Sequence, residues 1–135
     1  MRKETLARRA GRAFVFLWFF LGGIGHFAMT QAFATIVPPS VPDPVAMVYL
    51  SGVCELLGAF GILFGPTRRL AGWGLMLLTV AVTPANVYMW QHAAQFPMVP
   101  PWLLLLRLPV QVALLACIWW STRRHVRQPR WKDAG

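Results

Sequence analysis

Acidic residues are nearly missing from this chain: 4 Asp and Glu stand against 13 Lys and Arg in 135 residues. Charged residues of both signs make up only 13%, while 57% of the chain is hydrophobic. So few charges cannot clothe the surface of an ordinary soluble domain. The 2 cysteines, Cys54 and Cys117, are too few for a disulfide framework and form no metal motif. They fall at different depths of the apolar stretches and read as packing residues. No second carboxylate is available near Glu55 for paired acid–base work, no nucleophile stands beside an orienting base, and no Gly-rich phosphate loop occurs. His26 and His92 make a poor pair of haem ligands, because His92 falls in a loop. Nothing here announces a stand-alone enzyme.

What the chain does have is four long apolar stretches, at about 13–37, 45–64, 70–90 and 102–120. Each approaches the ~20 residues that a helix rising 1.5 Å per residue needs to cross a hydrocarbon core of ~30 Å. Little is left over for a soluble domain, so residues 1–135 read as one small integral membrane domain. Pro38, Pro39, Pro42 and Pro44 mark one loop, Gly65-Pro66-Thr67 a tight turn, and Pro97, Pro100 and Pro101 another loop. Loops this short favour consecutive antiparallel helices, hence an all-α, up-down four-helix bundle.

The basic residues are distributed by loop. Arg2, Lys3, Arg8, Arg9 and Arg12 precede the first stretch, Arg68 and Arg69 separate the second from the third, and Arg123, Arg124, Arg127, Arg130 and Lys132 follow the fourth. The other two loops contain no Lys or Arg. That is the positive-inside pattern with both termini in the cytoplasm and basic tails at 1–12 and 121–135. The tails can touch anionic lipid headgroups. Nucleic acid is not expected, because no aromatic or groove-reading pattern accompanies the net charge of +9. Ala32-Phe33-Ala34 imitates a signal-peptide cleavage site, but the apolar run before it exceeds the usual 7–15 residues, which favours a retained helix.

Measured from the basic residues, polar side chains from all four stretches share a depth. Glu55 is thirteen residues from Arg68, His26 fourteen from Arg12, Asn86 seventeen from Arg69, and Arg107 and Gln111 sixteen and twelve from Arg123. At helical rise these are about 18–26 Å, the outer half of a bilayer. Arg107 and Gln111 share a face at i, i+4. Pro84 and Pro109 free the carbonyls of Val80 and Leu105 and are expected to bend their helices near the same level. Glu55 needs a partner, and Arg107 is the obvious candidate as the only basic residue within a span. Each polar group also has a plain structural use: an ion pair that locks the bundle, a carbonyl cap, a helix–helix bridge. Trp18, Trp73, Trp90, Trp102, Trp119 and Trp120 read as interfacial anchors.

The motifs Gly25-His26-Phe27, Ser51-Gly52-Val53-Cys54-Glu55-Leu56, Pro84-Ala85-Asn86-Val87-Tyr88-Met89 and Arg107-Leu108-Pro109-Val110-Gln111, in that order, resemble the DoxX-like family of small four-helix bacterial membrane proteins. The resemblance covers nearly the whole chain. It implies a bacterial cytoplasmic (inner) membrane location and an association with oxidoreductases or quinone-linked systems. Most members have no established activity. The candidate polar pocket is His26, Glu55, Asn86, Tyr88, Arg107 and Gln111, with no metal, and a quinone is the candidate ligand. Three functions follow as expectations: an accessory subunit of a redox or quinone-linked membrane system, a non-catalytic assembly scaffold, and a small-solute or proton transporter. Candidate partners are membrane lipids, an oxidoreductase, or a second copy docking through Gly61-xxx-Gly65.

Overall fold

The computed structural model describes residues 5–123. The basic residues Arg2, Lys3, Arg124, Arg127, Arg130 and Lys132 lie outside the described residues. Among those described the fold is entirely helical: α1 Leu6–Ala28, α2 Thr30–Ala34, α3 Pro44–Gly61, α4 Gly65–Ala81, α5 Thr83–Gln91, a 3-10 turn Ala93–Gln95, and α6 Pro101–Thr122. Four helical segments are long and apolar enough to cross a membrane: α1, α3, α4 with α5, and α6.

Local chemistry explains the boundaries. The first apolar stretch does not run as one helix, because it breaks at Met29. Thr30 Oγ1 donates to the carbonyls of His26 at 2.8 Å and Phe27 at 3.1 Å, competing with the backbone ladder at that turn. Asp43 opens α3 from a left-handed conformation (φ 50°), where short polar side chains are tolerated, and its carboxylate accepts from Ala46 N. Pro44 follows at the first helical position, where the missing N–H costs nothing. At the other end of α3, Arg68 donates to the carbonyls of Ile62 (2.8 Å) and Leu63 (3.2 Å). A cation there also suits the helix dipole.

The two inner prolines behave differently. The third apolar segment divides into α4 and α5 at Val82, two residues before Pro84. By contrast, α6 continues through Pro109 as a single helix.

Each long helix touches two neighbours: α1 packs on α3 and α6, and α4 packs on α3 and α6. Glycines set the closest approaches. A Cβ at Gly23 would stand 2.8 Å from Leu56 Cγ, and one at Gly52 2.8 Å from His26 Cβ. Gly61 faces Ala71 of α4, so this residue of the expected dimer motif is already used within the chain, while nothing lies within 4 Å of Gly65. Gly11 meets Trp120 and Ser121, and Gly72 meets Thr122, which gathers the arginine-bearing termini of α1, α4 and α6 at one end. There the buried Arg12 donates to Ser121 O at 3.3 Å.

The buried apolar core (Val15, Phe19, Ala59, Ile62, Leu75, Leu114 and Ile118) occupies the half nearer this end. Around it the chain is inside-out relative to a soluble bundle, with Leu57, Leu70, Leu77 and Val112 all more than 65% exposed. Large apolar side chains on every outer face suit lipid, where hydrocarbon carries no penalty and the helices satisfy their own backbone. Trp73 and Trp119 meet edge to face at 5.4 Å, and the Arg123 guanidinium lies over Trp119.

Candidate functional site

The half of the bundle facing the proline loops carries the polar side chains, in three separate groups.

The first group joins α1 to α3. His26 Nδ1 lies 2.9 Å from Gly22 O and 3.1 Å from Glu55 Oε2. Proximity to a carbonyl fixes a hydrogen on Nδ1, because two acceptors would repel. That hydrogen is aligned on Gly22, so Glu55 Oε2, itself sealed from solvent, is held near the imidazole without an aligned hydrogen bond. Both side chains are nearly buried, 11% and 13% exposed. Gly22 and Gly52 make room for them, and the Phe33 ring covers His26 at 4.5 Å. Glu55 is therefore partnered by His26 and not by Arg107. The reason is topological, since α3 packs against α1 and α4 whereas Arg107 stands on α6.

The second group stitches α6 to the break between α4 and α5. Asn86 Nδ2 donates to Gln111 Oε1 at 2.9 Å, and Gln111 Nε2 donates to Thr79 O at 2.9 Å and to Thr83 Oγ1. Thr83 Oγ1 in turn donates to Thr79 O at 3.2 Å. One glutamine thus holds both sides of the helix break. Thr79 and Thr83 were not foreseen from sequence, although their i, i+4 spacing just before Pro84 is a readable sign of side chains bonding a loosened backbone.

The third group is Arg107, exposed on the surface of the chain, whose Nη1 donates to Met89 Sδ at 3.4 Å. It is the basic residue expected to be buried, yet the buried arginine is Arg12, 8% exposed, at the opposite end.

Tyr88 belongs to none of these groups. Its ring stacks on His92 at 4.2 Å, and it lines an open groove of about 550 Å³ with Pro38, Val80, Thr83, Pro84, Val87 and Gln91. Thr83 connects the wall of this groove to the Asn86–Gln111 bridge behind it. The Tyr88 hydroxyl and the Gln91 amide make no side-chain hydrogen bond among the described residues, so both can serve a guest. The groove exists because α5 packs on α6 and α4 while the loop after α2 brings Pro38 to its far wall. Among the described residues no three His, Cys, Asp or Glu side chains gather where a metal could sit. Cys54 is exposed, and Cys117 Sγ lies 3.9 Å from Gly11 O.

An all-helical chain with four membrane-length helices, apolar on the outside and polar at one end within, defines the class of small multi-pass membrane proteins. More particularly, the chain belongs to the family described as domain of unknown function (DUF8561), whose model matches residues 15–122. No curated protein and no solved structure matches the chain.

Proposed function

We propose that this protein is an accessory subunit of a redox or quinone-linked system in the bacterial inner membrane, and that it holds a small lipophilic carbonyl compound of the quinone class in the Tyr88 groove. The observation that carries this reading is the groove itself: about 550 Å³, walled by Pro38, Val80, Pro84 and Val87, with Tyr88 and Gln91 offering unspent donors. A cavity of that size with few polar groups suits a small lipophilic ligand. A quinone carbonyl can accept from the Tyr88 hydroxyl and the Gln91 amide while its ring lies against proline and valine. When bound, such a group carries electrons and protons between redox partners.

In this reading the helices run up and down with both termini in the cytoplasm. Charge distribution supports that orientation, with arginines at one end and none in the two proline loops. Helix contacts support it as well, since Gly22 meets Glu55 while Gly52 meets His26. The sequence resemblance to DoxX-like proteins points the same way on redox association. The His26–Glu55 pair and the Asn86–Gln111 bridge then have separate tasks: the first fixes α1 on α3, and the second fixes the back of the groove.

Extraction of the gently purified protein into organic solvent, with quinone quantified per chain, tests the proposal. About one bound quinone is expected in the native protein and a marked loss in Val87→Trp, which fills the groove. Equal amounts in both proteins, or none in either, would overturn it.

A further inference from the structure

Arg107 has an unusual position for an arginine in a span. Its Cα lies six residues beyond Pro101, so about 9 Å along α6. Its guanidinium nonetheless meets Met89, only two residues from the end of α5 at Gln91, or about 3 Å by helical rise. Side chains lean towards the N-terminus of their own helix, and for α6 that is the Pro101 end. The arginine thus roots its stem inside the apolar zone and reaches its charge towards the rim, as long basic side chains do near an interface.

The chain supplies no counter-charge there. Of its 4 acidic residues, Asp43 caps α3, Glu55 faces His26, and Glu4 and Asp133 lie outside the described residues. Among the described residues no carboxylate stands within 4 Å of Arg107, and the thioether of Met89 is a weak, uncharged acceptor. Trp90 and Trp102, 41% and 66% exposed, flank the same end of the bundle, where indoles sit at headgroup level.

We propose that Arg107 binds the phosphate of a membrane phospholipid in the leaflet at the Pro101 end. A guanidinium presents a planar fork of donors that matches phosphate oxygens two at a time, and Arg107 spends only Nη1 on the protein. The exposed face of α6 admits the lipid laterally. This site is independent of the Tyr88 groove.

The test uses the full chain in maltoside, a phosphate-free detergent, titrated with phosphatidylglycerol and read by native mass spectrometry. Wild type is expected to hold one phosphatidylglycerol about fivefold more tightly than Arg107→Gln, the effect of one basic residue near an anionic headgroup. Arg107→Lys keeps the charge without the fork and should fall between them. Arg69→Gln, which removes equal charge at the other end, should leave that lipid in place. A digalactosyl diacylglycerol should bind without regard to Arg107, and inorganic phosphate should not displace the phospholipid. Wild-type affinity in both Arg107 variants overturns the proposal, as does an equal loss in Arg69→Gln. Displacement by inorganic phosphate overturns it in favour of a soluble anion. Helical content and melting in detergent alone verify the fold of Arg107→Gln, and if that variant does not fold, affinity in Arg107→Lys equal to wild type overturns the proposal.

Discussion

Consider the removal of either partner from the His26–Glu55 pair. The two losses should be unequal, because the groups are satisfied differently. His26 keeps its 2.9 Å contact with Gly22 O when Glu55 is gone, so the Glu55→Met variant leaves a neutral imidazole with a partner. Its cost should be about 1–2 kcal/mol, comparable to one charged hydrogen bond. His26→Leu strands a carboxylate whose inward oxygen is sealed and has no other partner. Breaking a buried pair that way costs about 3–5 kcal/mol, with the lower end expected here because the Glu55 side chain keeps 13% of its exposure. The double variant should lie about 1–3 kcal/mol below the sum of the two, as contacting residues do. A parallel cycle between Glu55→Met and Arg107→Met should be additive within about 0.5 kcal/mol. Equilibrium unfolding in mixed micelles, followed by far-UV circular dichroism, supplies the free energies. Additivity in the 26/55 cycle, or coupling in the 55/107 cycle, would refute the pairing.

Gln111→Leu should cost about 1–2 kcal/mol, since it leaves Asn86 Nδ2 and Thr79 O unpaired in a membrane span; the same unfolding assay measures it, and no loss would show that the helix break needs no bridge. Gly58→Ala should destabilise by about 1–3 kcal/mol, because a Cβ would stand 2.6 Å from Cγ of Leu75, a residue only 1% exposed. A wild-type melting temperature would mean that α3 and α4 are more loosely packed than described. Reporter fusions at Asp43 and Gln95 should read as external and those at Arg69 and Gly135 as cytoplasmic, and an external C-terminus would reverse the orientation proposed.

The sequence announces the helices and much less of the site. Apolar length and loop prolines were enough for four spans, because a backbone in lipid has few options besides helix. Depth along a helix was legible too, and it brought His26 to Glu55 and Asn86 to Gln111. Azimuth was not. Glu55 was assigned to Arg107 because both were unpartnered and level, yet level residues meet only if their helices are neighbours, and no pattern in one sequence states which helices are. The break at Met29 came from Thr30 bonding backwards, a local contest between side chain and ladder that apolar length hides. Pro84 and Pro109 look alike in sequence. One sits at a break bridged by Gln111 and the other inside an unbroken helix, a difference set by what packs opposite each proline. The Tyr88 groove depends on Pro38, distant in sequence, and so only its Tyr88 wall was foreseen.

Photoaffinity labelling with an azidoquinone tests the central claim most directly, with the modified peptide identified by mass spectrometry. Saturable labelling of residues 83–91, competed by unmodified quinone and lost in Val87→Trp, is the predicted result. Labelling that is not competed, or that falls on α1 and α3 around His26 and Glu55, would contradict the assignment of the ligand to the Tyr88 groove.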